Sequence, residues 1–102
     1  MAISTKISED NKILTIAVSG NFDINSYHKF GTSYKDILQP GMDVIIDLAE
    51  TEYMDSSSLG MLLMLRERAG SDNSQIEIKN CSPGITKILT TANFDKLFKM
   101  VT

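Results

Sequence analysis

Three consecutive serines follow an aspartate in the segment YMDSSSLGMLL, which runs from Tyr53 to Leu63. A serine hydroxyl can act as a nucleophile, as a helix cap or as a phosphate acceptor. The first role needs a histidine as base and, in elbow-type hydrolases, a Gly-x-Ser-x-Gly turn. The segment lacks the first glycine of that turn, and the only histidine, His28, belongs to another predicted element. Nucleophilic catalysis is therefore disfavoured, and we expect a protein that is not an enzyme.

Helix capping is one remaining interpretation of the serines. Asp55, Ser56 or Ser57 can cap the helix that follows, because Asp and Ser are favoured at helix N-termini. The small residues Ser58 and Gly60 then serve only close packing. Capping by one residue does not explain three hydroxyls in a row, although serines are common in turns.

Phosphorylation is the other interpretation. A phosphoserine carries about −1.5 to −2 charges, which the positive end of a helix dipole tolerates without a change of fold. The neighbouring acids are Asp23, Glu50, Glu52 and Asp55. A partner docked at this place would meet new charge beside those acids, and an uncompensated buried charge costs several kcal/mol. Phosphorylation would therefore switch binding off.

The residues after the serines predict a helix from Leu59 to Ala69 with two distinct faces. At about 100° per residue, the inward arc consists of Leu59, Leu62, Leu63, Leu65 and Ala69. A separate stripe, which we expect to face solvent, consists of Ser57, Met61, Met64 and Arg68. Methionine is adaptable and frequent at binding surfaces, but at helical spacing it is also a common core residue. The stripe is thus a candidate docking surface for a protein partner.

The predicted elements that position these residues follow the order β-β-α-β-α-β-α, with a further short strand at the end. Their ranges are Ile3 to Ile7, Ile13 to Val18, Asn25 to Leu38, Asp43 to Leu48, Leu59 to Ala69, Gln75 to Lys79, a helix opened by Ser82-Pro83, and Phe98 to Val101. The order predicts an α/β fold: one domain over residues 1–102, with a mixed sheet, an antiparallel N-terminal hairpin and three to four helices.

Two details of this fold carry consequences. The apolar run from Asp43 to Leu48 is typical of a central strand covered on both faces. In the first helix, Tyr27 and Tyr34 are predicted core aromatics. In open α/β sheets the functional crevice lies beyond the carboxyl ends of the strands. If the strands that precede Asp23 and Ser56 are neighbours, these two residues share one rim.

Composition excludes several classes of function. The net charge of −3, with scattered bases, offers no basic stripe for nucleic acid. One cysteine, Cys81, and one histidine leave too few ligands for a metal site and no internal disulfide. No cofactor motif, no apolar run near the length of a membrane span and no secretory signal are present. We therefore expect a cytoplasmic protein without cofactor or metal, not inserted in a membrane and monomeric by default.

The pattern resembles the STAS domain of bacterial anti-sigma factor antagonists. The resemblance rests on three segments, in the family's order and spanning nearly the whole chain: Gly20-Asn21-Phe22-Asp23, Asp55-Ser56-Ser57-Ser58-Leu59-Gly60, and Cys81-Ser82-Pro83 with the helix that leads to Leu97-Phe98-Lys99. The most specific part is the strand followed by Met-Asp-Ser-Ser-x-Leu-Gly. The family commonly has glycine where this sequence has Ser58.

The resemblance implies a phosphorylation-controlled partner switch. In the family, a partner that is both anti-sigma factor and serine kinase phosphorylates the residue after the aspartate, and a phosphatase resets it. By position, Ser56 is then the acceptor, ahead of Ser57. The implied partner-binding residues are Asp23, Asp55, Ser57, Ser58, Met61, Met64 and Arg68. The alternative is a constitutive scaffold or an accessory subunit of a transport or signalling complex, which phosphorylation does not control.

Overall fold

The computed structural model describes residues 2–73, without the side chain of Asp72, and residues 75–101. The strands are β1 (Ala2–Ile7), β2 (Ile13–Phe22), β3 (Asp43–Asp47), β4 (Thr51–Met54), β5 (Gln75–Lys79) and β6 (Lys99–Val101). The α-helices are α1 (Tyr27–Tyr34), α2 (Ser56–Ala69) and α3 (Pro83–Thr91). Short 3-10 segments lie at Ile24–Ser26, Ser71–Asn73 and Phe94–Lys96. The predicted domain bounds, Met1 and Thr102, lie outside the described residues.

The strands form one mixed sheet in the order β1-β2-β3-β5-β6. β1 is antiparallel to β2, whereas β2, β3, β5 and β6 run parallel to one another. The predicted fold class, with an antiparallel N-terminal hairpin and helices packed on a mixed sheet, is therefore confirmed. The segment that begins at Asp43 is the central strand, as its apolar run indicates.

The sequence analysis missed β4, which pairs in parallel with the last part of β2. The pairing starts after a register shift between Gly20 and Asn21, and Gly20 has a φ of +79°. Glycine reaches this conformation without steric cost, so it permits the bend. The buried hydroxyl of Thr51 donates to the Val18 carbonyl over 2.7 Å, and Gly20 N donates to Glu50 O over 2.9 Å. These bonds direct the end of β2 away from β3 and toward β4.

The hydrophobic core lies on one face of the sheet. In β3, Val44 and Ile46 are buried, whereas Ile45 on the opposite face is partly exposed. Ile45 is paired with Thr15 on one side and Glu77 on the other. The prediction that this strand is covered on both faces is wrong, because Ile45 and its neighbour Ile13 on that face remain partly exposed.

The first helix is shorter than the predicted Asn25 to Leu38. It begins at Tyr27, after the 3-10 segment Ile24–Ser26, and ends at Tyr34. Phe30 and Tyr34 are buried in the core, with their ring centroids 5.6 Å apart. Tyr27 is 50% exposed, so its prediction as a core aromatic is wrong. It stands in the first turn of α1, at a groove between α1 and α2.

The buried face of α2 differs from the inward face that the sequence predicted. Its buried residues are Ser58, Met61, Leu62, Leu65 and Ala69. Met61 is only 3% exposed, and the prediction that it faces solvent is wrong, because α1 packs against the side of α2 that carries it. Leu63 lies on the solvent side and is 42% exposed, which contradicts its predicted inward position. Of the predicted stripe, Met64 and Arg68 are exposed and Ser57 is half-buried.

Candidate functional site

Asp55 is the residue that caps α2. Its backbone is extended, with a φ of −132°, and its Oδ1 accepts from the backbone N–H of Ser57 at 3.0 Å and of Ser58 at 3.3 Å. These bonds occupy donors that have no partner within the helix. The helix ends at Gly70, whose φ of +118° is typical of a left-handed helix terminus.

The three serines differ in what their hydroxyls do. Ser58 is fully buried, and its Oγ accepts from Asp55 N at 3.1 Å and donates to Asp55 O at 2.6 Å. Ser57 is half-buried and donates to Asp55 Oδ1 at 2.5 Å. Ser56 is exposed, and among the described residues its hydroxyl has no hydrogen-bond partner. Of the three, therefore, only the Ser56 hydroxyl is directed to solvent without an internal bond.

Ser58 closes a capping box with Asp55, in which each residue bonds the backbone of the other. The structure places the hydroxyl of Ser58, predicted as a partner-binding residue, inside the domain, where it is buried and bonded to Asp55.

The same arrangement occurs at the end of β2. Asp23 accepts from Asn25 N at 3.0 Å, and the buried Ser26 accepts from Asp23 N at 3.2 Å. Both sites read Asp-x-x-Ser in the sequence, a signal from which the two capping boxes could have been predicted.

Since Phe22 pairs with Met54 in parallel, Asp23 and Asp55 leave the sheet from adjacent strands. The structure thus brings the two aspartates to one edge, and Ser56 lies directly beside them.

The electrostatics of this edge are acidic. The hydrogen bond from the Ser57 hydroxyl, with bonds from backbone N–H groups, holds the pKa of Asp55 below its ordinary value of 3.8. Asp55 is therefore charged at neutral pH. Glu50 and Glu52 are exposed in the same segment, and no Lys, Arg or His occurs from Asp43 to Leu65. A second anion placed at Ser56 would find no cation in this part of the chain.

Comparison with known families identifies the fold. The family model described as "Mlab, STAS domain" matches residues 5–102 of the chain. The chain belongs to the STAS domain family. The resemblance seen in the sequence is thereby confirmed. A STAS-domain containing protein of Pseudomonas aeruginosa strain UCBPP-PA14 is 43% identical over 100 residues, which cover 98% of this chain and 99% of the relative.

Solved structures share the architecture of this STAS domain at low sequence identity. The anti-sigma factor antagonist SpoIIAA in its unphosphorylated form has a TM-score of 0.73 at 16% identity, over 99% of this chain and 88% of its own. The Bacillus cell fate determinant SpoIIAA in the phosphorylated form has a TM-score of 0.67 at 17% identity, over 99% and 92%. A sulfate transporter family protein of Wolinella succinogenes has a TM-score of 0.73 at 12% identity, over 94% and 82%. These similarities concern the fold.

Within the residues that the structure describes, no helix is long and apolar enough to span a bilayer.

Proposed function

We propose that this STAS domain is a non-enzymatic, phosphorylation-controlled binding protein of the cytoplasm, with Ser56 as the phosphate acceptor. In its unmodified form it binds a serine kinase of the anti-sigma factor type, phospho-Ser56 releases it, and a phosphatase resets it. The observation that carries the proposal is the difference in hydrogen bonding and exposure among the three serine hydroxyls. Ser57 and Ser58 are bonded to Asp55, whereas the Ser56 hydroxyl is exposed and without an internal bond.

A phosphate on Ser56 is compatible with the folded domain. The residue is the first of α2, where the helix dipole favours negative charge. The capping bonds of Asp55 use Ser57 and Ser58, so modification of Ser56 breaks none of them. The folded state therefore tolerates both forms, as a reversible switch requires.

The same phosphate changes the surface that a partner meets. It adds about −1.5 to −2 charges beside Asp55 and Asp23, in a segment without bases. A partner that covers this edge would have to desolvate the additional charge, which costs several kcal/mol when uncompensated. Each 1.4 kcal/mol lowers affinity about tenfold, so a loss on the order of a thousandfold is expected.

Comparison of three variants tests this proposal. The partner is first isolated with the unmodified protein and defined by its kinase activity on the wild type. We expect Ser56→Ala to bind it with wild-type affinity and to accept no phosphate, and Ser56→Asp to bind it more weakly. Ser57→Ala is the matched control and should still be phosphorylated. Equal affinity of Ser56→Ala and Ser56→Asp, or phosphate transfer to Ser56→Ala, would refute the mechanism.

A second candidate function is a constitutive accessory subunit, as in the transport or signalling complexes considered from the sequence. This second function is supported by the fold that the chain shares with a sulfate transporter family protein. In that case binding survives Ser56→Asp and fails on Met64→Glu, because the exposed Met64 lies on α2 outside the phosphate site. Met61→Glu is not a suitable test, since Met61 is buried and its substitution would unfold the domain.

A further inference from the structure

A groove of about 330 Å³ runs between α1 and α2, separate from the edge at Ser56. Its floor is apolar and consists of the buried side chains of Phe30, Tyr34 and Met61. Tyr27 and Met64 border it and are 50% and 44% exposed. Large apolar side chains that remain exposed around a concave surface are typical of a binding site.

The charge of the groove is opposite to that of the protein as a whole. Its lining includes His28, Lys35 and Arg68, and no acid is among the described residues that line it. The net charge of the chain is −3. Burial raises the pKa of the Tyr34 hydroxyl, and the Arg68 guanidinium acts in the opposite direction, so the field of Arg68 extends into the groove. An anionic partner is therefore favoured here.

Gly31 stands in the middle of α1 on the wall of the groove, and the fold does not require a glycine there. A Cβ added to Gly31 would meet no atom within 4 Å, apart from its own helix and chain neighbours. Glycine in a helix interior costs about 1 kcal/mol relative to alanine, so its presence in an eight-residue helix destabilises α1. Without a side chain at Gly31, this wall of the groove is open to the close approach of another backbone.

We propose that the groove between α1 and α2 binds an acidic amphipathic helix of a protein partner. The partner's apolar side chains would seat on Phe30 and Met61, and its carboxylates would face Lys35 and Arg68, as in other helix-in-groove complexes. α1 is about 12 Å long at 1.5 Å per residue, so the groove accommodates about two turns of the partner.

This second docking surface is independent of the proposed switch. Arg68 lies about 18 Å from Ser56 along the axis of α2, at 1.5 Å per residue. The Debye length is about 8 Å at physiological ionic strength, so a charge at Ser56 is largely screened from the Arg68 guanidinium. Binding in the groove should therefore survive phosphorylation.

Two synthetic helical peptides test the proposal against the full chain. Both carry the same leucine and phenylalanine stripe, flanked by glutamates in one peptide and by lysines in the other. We expect the glutamate peptide alone to shift the amide NMR signals of Gly31, Met64 and Arg68. Arg68→Glu should weaken its binding about tenfold or more. Gly31→Gln should do the same without unfolding the domain, which thermal unfolding verifies.

Controls separate this proposal from the function at Ser56. Lys87→Glu makes the same charge change on an exposed site of α3 and should leave the affinity unchanged. Ser56→Asp should also bind the peptide normally, whether or not it binds the kinase. The proposal is overturned if the glutamate peptide does not bind, if both peptides bind equally, or if the shifts lie outside the groove. Loss of peptide binding in Ser56→Asp would equally overturn it.

Discussion

The hydroxyl of Ser57 donates a hydrogen bond to the carboxylate of Asp55 over 2.5 Å. This bond has two consequences for the site. It occupies the Ser57 hydroxyl, which leaves the Ser56 hydroxyl as the exposed one of the three. It also stabilises the charged form of Asp55 and thereby holds the pKa of its carboxyl below the ordinary value. Ser57 is therefore a structural residue of this site, and its hydroxyl is committed to Asp55.

Replacement of single serines should distinguish the structural hydroxyl from the exposed one. Ser58→Ala leaves the Asp55 N–H without its side-chain acceptor, and we expect a loss of about 1–2 kcal/mol in the free energy of unfolding. Ser56→Ala should change it by less than about 0.5 kcal/mol. Urea unfolding followed by circular dichroism provides both values. Equal losses in the two variants would contradict the assignment of the cap.

The pH dependence of stability should report the Asp55–Ser57 bond. The folded pKa of Asp55 lies below the unfolded one, so its contribution is present above about pH 4 and is lost as pH falls through the folded pKa. Ser57→Ala raises the folded pKa toward the ordinary value. The variant should therefore lose less stability than the wild type between about pH 6 and pH 3. NMR titration of the Asp55 carboxyl measures the shift itself, and an unchanged pKa in Ser57→Ala would contradict this explanation.

The two methionines of α2 should differ in how much they contribute to stability. Met61→Ala removes a buried side chain, which we expect to cost about 2–5 kcal/mol of stability. Met64→Ala changes an exposed site and should cost less than about 0.5 kcal/mol. Thermal unfolding of the two variants under one condition gives the comparison. A stable Met61→Ala would show that the side chain is not in the core.

The bend at Gly20 should tolerate only glycine. Gly20→Ala places a side chain at a φ of +79°, so we expect a loss of about 1–2 kcal/mol and a disturbed pairing of β2 with β4. Gly31→Ala is the matched control. Its Cβ meets open space in a helix, and the substitution should stabilise the domain by about 1 kcal/mol. Denaturant unfolding measures both changes, and a stabilising Gly20→Ala would contradict the role given to the bend.

The sequence predicted the elements whose periodicity is strong. The N-terminal hairpin, the central strand at Asp43 and the helix opened by Ser82-Pro83 follow directly from alternation, apolar runs and cap residues. β4 was missed because Thr51–Met54 is four residues long and pairs only with the end of β2. Such a strand has no periodicity of its own, and its existence depends on tertiary pairing.

The candidate site was predictable in position but not in detail. The Asp-Ser-Ser-Ser segment located the cap, whereas the burial of Ser58 and the exposure of Ser56 depend on the rotation of α2 about its axis. That rotation is set by packing against α1, which also buries Met61 and exposes Leu63. A helical wheel does not contain this information, because α2 has apolar residues on both of the sides in question.

Phosphate occupancy of Ser56 in bound and free protein tests the central claim most directly. The chain is isolated from its native cells in two pools, one that copurifies with the kinase partner and one that does not, and peptides covering Tyr53 to Leu65 are analysed by mass spectrometry. We predict phosphate on Ser56 in the free pool and unmodified Ser56 in the bound pool. Equal occupancy in both pools, or phosphate on Ser57 instead, would contradict the switch proposed here.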